Sequence, residues 1–240
     1  MKASETKRID KFLEFEEGTF DHIPHYCMDD AIDAISSVQE MERRTMFRPG
    51  LYYIVLSDLC HSTESAAKLG QELNKKRVES FILKCVETLG YMIPRNYFMF
   101  LREVGDAVLM LFSSFEDAHE WWWRMESWLE TQNRLASWEV DPKLFKHFEL
   151  EAKTVIHVGE VGYSDKSIPM ALAVNQVFKI EKLFKKKELG ITDTVRHTAT
   201  DVMKSLKIRP RKRGAVKLPG AKDETTVYLA DKFKGRFQIC

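Results

Sequence analysis

Residues 51 to 70 read LYYIVLSDLCHSTESAAKLG, and the change of character inside this stretch decides the fold. Leu51 to Ser57 make a short, continuous apolar run rich in β-formers, the pattern of a central strand covered on both faces. Asp58 follows at once, so a carboxylate stands where the buried strand ends. Beyond it Leu69, Leu73, Val78, Phe81, Ile82, Cys85, Val86 and Leu89 recur near helical spacing up to Gly90, which can close a helix.

Working outward, two further β-rich runs, YFMFLR (97–102) and AVLMLF (107–112), flank a tight Gly105-Asp106 dipeptide and predict a hairpin whose turn carries the second aspartate. Ala118, Trp121, Trp122, Met125, Trp128 and Leu129 then predict a second helix, followed by a linker and a strand over Lys153 to Val158. The order β-α-β-β-α-β is the ferredoxin-like pattern of an α+β fold, an antiparallel sheet with helices on one face. A third helix near Met170 to Lys187 and a β-rich tail from Ala215 to Leu229 follow. Upstream, Ala31, Ile32, Ile35, Val38 and Met41 suggest one amphipathic helix before the break at Arg48-Pro49-Gly50. The division is therefore an N-terminal helical extension, 1–47, and one domain, 48–240.

At 240 residues the chain has room for one sizeable core. Its 37 Lys and Arg nearly cancel its 36 Asp and Glu, which removes the electrostatic case for a nucleic-acid or membrane-surface partner. The basic run RPRKRG (209–214) reads as a solvated loop. Cys27, Cys60, Cys85 and Cys240 have no paired spacing, which argues against zinc and disulfides and for a reducing cytoplasm. No stretch approaches the roughly eighteen apolar residues of a membrane span.

Asp58 and Asp106 should share one edge of adjacent strands. Mg²⁺ and Mn²⁺ prefer hard oxygen ligands and usually take one or two carboxylates plus phosphate oxygens, which suits a nucleotide site. Taken singly, Asp58 could cap the next helix and Asp106 could be a turn former. As a pair on this topology they point to two-metal chemistry. Cys60 and His61 lack partners at ligand spacing and carry no metal reading of their own. The tryptophans of EWWWRMESW recur at helical spacing and read as core or dimer packing rather than a base-stacking platform.

Three segments carry a resemblance. SDLCHSTESAAKLG and EVGDAVLMLFSSFEDA resemble the two metal-binding segments of class III adenylyl and guanylyl cyclases. HVGEVGYSDKSIPMALAVNQVFKIEKL is similar to the block whose valine-asparagine pair opens a helix of transition-state residues. The match spans about residues 50 to 230, with the blocks in family order. It implies two divalent ions (Mn²⁺ or Mg²⁺) held by Asp58 and Asp106 with the Leu59 carbonyl. It further implies phosphates cradled by Cys60, His61, Ser62 and Thr63, ribose oriented by Asn175, and terminal phosphates held by Lys217 or Lys222. Where the family usually has arginine, four residues after the asparagine, this chain has Lys179, which keeps the charge but not the bidentate fork. Helical geometry agrees: Ala173, Val177, Ile180 and Phe184 form an apolar stripe, and Asn175 and Lys179 share the other face, as surface residues also would. The resemblance also implies a homodimer with shared active sites.

The purine cyclases read their base four residues before the second metal aspartate and seven before the asparagine, and here those positions are Arg102 and Ile168. A donor-only guanidinium suits pyrimidine carbonyls, whereas adenine's amine needs an acceptor that isoleucine lacks. The chain is in this respect similar to the pyrimidine cyclases of bacterial anti-phage (Pycsar) systems, which implies cyclic UMP, or cyclic CMP, acting on a separate effector. Competing readings are an adenylyl cyclase recognising its base through main-chain groups and an inactive cyclase-like nucleotide-binding or dimerisation module. A polymerase palm shares the topology but needs a basic surface that this composition lacks.

Overall fold

The computed structural model describes residues 50–90, 100–163, 169–170 and 172–230. The expected extension, 1–47, lies outside the described residues. Strand β1 (Gly50–Leu59) leads into helices α1 (Ser62–Leu69) and α2 (Gln71–Gly90), then the hairpin β2 (Phe100–Val104) and β3 (Ala107–Phe112). Helices α3 (Phe115–Glu139) and α4 (Pro142–Phe148) precede β4 (Ala152–Tyr163), which completes the expected order. Next come β5 (Pro169–Met170), α5 (Leu172–Glu181), β6 (Leu189–Thr192), α6 (Asp193–Thr198), α7 (Thr200–Ser205), β7 (Arg211–Lys217) and β8 (Glu224–Ala230).

The strands run β2-β3-β1-β4-β6-β8-β7 across the sheet, with β5 paired to the end of β4. β1 is central and antiparallel to both β3 and β4, as its unbroken apolar run predicts. Strand alternation sorts the core. Val55, Leu59, Val108, Met110 and Ile156 face α2 and α3 and pack with Phe81, Cys85, Trp121 and Trp122. Ile54, Leu56, Leu109, Leu111 and Val155 face the other way, onto Ala173, Val177 and Ile180 of α5. The helices of the βαββαβ unit thus cover one face, and α5 covers the opposite one. Trp121 and Trp122 are fully buried, which places them in the core.

Several boundaries differ from the sequence reading. The first helix is two helices, broken at Gly70 with φ +93°, a conformation glycine adopts without steric cost. The linker before β4 contains α4, capped by the Asp141 carboxylate accepting from the Lys143 amide at 2.8 Å, with Pro142 in its first turn. The third helix stops at Glu181, short of Lys187, and the region beyond it contains the buried strand β6. The β-rich tail begins at Arg211 rather than Ala215. The run 209–214 is accordingly strand from Arg211 onward, forming the exposed edge of the sheet, where charge discourages further strand pairing.

Candidate active site

Asp58 and Asp106 meet at one end of β1 and β3. Asp58 is in register with Ala107, the residue after Asp106, and the Leu59 amide donates to the Asp106 carbonyl at 3.1 Å. Gly105, at φ +67°, supplies the left-handed position the tight turn needs. Asp58 does not cap the following helix; His61 occupies that position.

Alternation puts Asp58, Lys153 and His157 on the α5 face of the sheet. Lys153 Nζ lies 3.1 Å from Asp58 Oδ2 and also pairs with Glu181, the last residue of α5. Burial pushes the Asp58 carboxyl up to about 6; Lys153 opposes the shift, while the charges of Asp106 and Glu181 add to it. Three carboxylates therefore share this edge with one ammonium. Their excess negative charge and hard oxygens fit a divalent cation held by Asp58, Asp106 and the Leu59 carbonyl. Among the described residues no cluster of three or more His, Cys, Asp or Glu side chains could hold a metal ion by itself. An ion here would complete its shell from substrate oxygens, as Mg²⁺ commonly does.

The loop after Asp58 is fixed from below. The Cys60 amide donates to the Glu151 carbonyl at 2.7 Å, and Ser62 Oγ donates to the Leu59 carbonyl at 3.2 Å. Arg77, wholly buried on α2, donates through Nη2 to the carbonyls of Cys60 (2.9 Å) and Glu149 (2.7 Å), and through Nε to that of Phe148 (3.2 Å). Burial lowers its pKa to about 10, so the guanidinium stays charged at neutral pH. The same burial raises the Cys60 thiol to about 11, which leaves it protonated and unsuited to metal or nucleophilic work. His61 sits at φ +64° without a side-chain cap, and the ladder of α1 begins with Ser65 donating to His61 at 2.8 Å. The preceding amides of Ser62 to Glu64 are the orphan donors of a helix start, a natural anion cradle.

Asn175 and Lys179 are exposed on α5, while Ala173, Val177, Ile180 and Phe184 are buried. Within one chain it is Glu181, through Lys153, that ties α5 to the aspartate edge. Lys217 ends β7 and Lys222 lies in the turn before β8, both exposed. Arg102 lies on β2 opposite Leu109, with its side chain outside the described residues, as is Ile168.

Sequence reasoning missed Arg77 and Lys153. The first had a visible signal: Arg77 falls in phase with Leu73, Phe81 and Cys85, so a charge sits on an apolar stripe. The second had only its place at the head of a strand.

The fold is similar to that of solved adenylyl and guanylyl cyclase domains. Among solved structures, the adenylyl cyclase CyaB from P. aeruginosa aligns with TM-score 0.57 and 18% identity over 81% of this chain and 100% of its own. The guanylyl cyclase Cya2 aligns with TM-score 0.56 and 20% identity over 80% and 96%. The non-canonical dimeric guanylyl cyclase domain of the RhoGC fusion protein from Blastocladiella emersonii gives 0.55 and 12% over 77% and 98%. The sequence matches no family model and no curated protein. Among the described residues no helix is long and apolar enough to cross a membrane.

Proposed function

We propose that this chain is a nucleotidyl cyclase converting a pyrimidine nucleoside triphosphate, UTP foremost, to the 3′,5′-cyclic nucleotide and pyrophosphate. The observation that carries the reading is the pair Asp58 and Asp106, locked by main-chain bonding at one strand edge of a cyclase-type sheet. When bound there, two divalent ions supply charge neutralisation to the triphosphate and lower the pKa of the attacking hydroxyl. The protein's own part is to bind and orient. The first-turn amides of α1 and Lys217 or Lys222 hold the phosphates, Asn175 aligns the ribose, and Lys179 meets the charge that develops as the 3′-oxygen attacks the α-phosphorus.

The site is built by two chains in this reading. Asn175 and Lys179 are exposed on α5, which is how a pair offered to a partner's aspartate edge sits in a single chain. The base preference rests on Arg102 and Ile168 at the base-reading positions, a donor and an apolar side chain. By likeness to the Pycsar cyclases, the product acts in the cytoplasm as an anti-phage messenger on a separate effector. A second reading, a nucleotide-binding module without turnover, draws support from Lys153 seated on Asp58 as a resident cation.

Incubation with each of the four ribonucleotides and Mn²⁺, with products identified by mass, tests both. Cyclic UMP, or cyclic CMP, in excess over cyclic purines is the expected result. A cyclic purine as main product would overturn the base assignment, and no product from any nucleotide would leave the binding module.

A further inference from the structure

A polar chain, buried at the sheet and exposed at its far end, crosses from the sheet to the turn between β7 and β8, passing beside Asn175. Gln176 Nε2 donates to the Pro219 carbonyl at 2.8 Å, so its Oε1 is left to accept from His157 Nε2, 3.0 Å away. His157 Nδ1 then accepts from Thr192 Oγ1 at 3.0 Å. Burial holds the His157 pKa below its ordinary value, so the ring is the neutral tautomer this chain requires. Every polar group in the run has a partner, which gives a single bonding arrangement.

Apolar contacts at the same place make the docking specific. Leu218 is buried with Ala173 and Val177 of α5. Gly220, at φ +72°, lies so close to Leu172 that a Cβ there would come within 2.5 Å of its side chain. Gly159 lets α5 approach β4, since a Cβ on it would meet Ala173 Cβ at 2.3 Å. The turn is thereby seated on the helix, and the helix on the sheet, with Lys217 and Lys222 on either side of the bonded Pro219.

From this geometry we infer that Gln176 and His157 are positioning residues that lock the β7–β8 turn onto α5, setting Lys217 and Lys222 relative to Asn175 for triphosphate binding. The inference rests on the cyclase reading for the ligand and on the hydrogen-bond chain for the residues. Neither side chain needs to touch the substrate; both act through the turn.

The test uses inorganic tripolyphosphate as probe, with affinity read by calorimetry, and hydrogen exchange of the Leu218, Gly220, Ala221 and Lys222 amides as a second readout. Gln176→Leu removes both bonds of the amide, and Gln176→Glu keeps an acceptor for His157 but cannot donate to Pro219. Both variants should expose the turn amides to faster exchange and weaken tripolyphosphate about tenfold, the size seen when supporting partners of a binding group are lost. Adding Lys217→Ala and Lys222→Ala to Gln176→Leu should cost no more than the lysine changes alone. Unchanged exchange, unchanged affinity, or losses that add in full would overturn the inference. Neither readout needs turnover, so failure of the cyclase reading would appear instead as missing cyclic product with this binding cycle intact.

Discussion

The Leu59 amide donates to the Asp106 carbonyl across 3.1 Å, so the two aspartates are joined by backbone rather than by their own side chains. This separates ligand chemistry from folding. Exchanging either carboxylate for a methyl group leaves the bond that fixes the edge.

Asp58→Ala and Asp106→Ala should therefore each abolish cyclisation while keeping the fold. Losing a ligand forfeits several kcal/mol of transition-state charge stabilisation, a drop of about a thousandfold or more. Circular dichroism and thermal unfolding should match the parent within a few degrees. Normal turnover in either folded variant would exclude the two-aspartate site.

Asp58 gives a pH dependence with a definite sign. Its carboxyl is raised to about 6, chiefly by burial, so below that pH metal-free protein holds a proton there that must leave for a cation to bind. Mn²⁺ affinity, read by electron paramagnetic resonance, should fall as pH drops through about 6, where an ordinary aspartate would hold on to about 4. The same shift makes ionised Asp58 a cost to the metal-free fold. Its stabilising share is present at low pH and lost as pH rises through 6. Lys153→Met removes a charge that now holds the value down, so the midpoint of Mn²⁺ binding should move up while affinity on the alkaline plateau increases. A midpoint that moves down would contradict the role given to Lys153.

Arg77 should matter to stability before it matters to chemistry. Its guanidinium serves three carbonyls on two segments, the Cys60 loop and the end of α4, that of Phe148 buried and those of Cys60 and Glu149 part-buried. Arg77→Met strands the Phe148 carbonyl, at about 1 to 3 kcal/mol for a buried group left unsatisfied, and costs less at the two carbonyls that water can reach. A total of about 2 kcal/mol or more in urea unfolding is the expected loss. Arg77→Lys, which restores one donor group without the fork, should recover only part of it. Full stability in Arg77→Met would show that water replaces the guanidinium.

What could be read from the sequence depended on periodicity and on contrast. LYYIVLS announced β1 because an unbroken apolar run has one good place in a mixed fold, and Gly105-Asp106 announced its hairpin because a left-handed turn needs glycine. β6, by contrast, is four residues long, too short to display any period. Its burial comes from β4 and β8 on either side, and those pairings join residues far apart in the chain. The same holds for Lys153. Its significance arises only when β4 lies against β1 in a register that sets it opposite Asp58. Asp58 and Asp106 could be singled out as candidates because, as a pair on this topology, a charge ending an apolar strand and a charge in a neighbouring turn fall at one edge, whereas the lysine between Asp58 and Glu181 is an outcome of tertiary packing.

The exposed Asn175 and Lys179 bear on how many chains make a site. If they serve a partner's aspartate edge, Asp58→Ala and Lys179→Ala disable opposite halves. Each homodimer should be inactive, since Lys179→Ala removes a donor aimed at developing charge and costs about a hundredfold or more. A mixture allowed to exchange subunits assembles heterodimers in which one site holds both lesions and the other holds none. With random pairing half the dimers are mixed and each has one intact site, so turnover should return to about a quarter of the parent rate. Exchange itself is followed by mass on differently tagged chains. Mixed dimers that form but stay inactive would place both halves of the site in one chain and remove the homodimer from the mechanism.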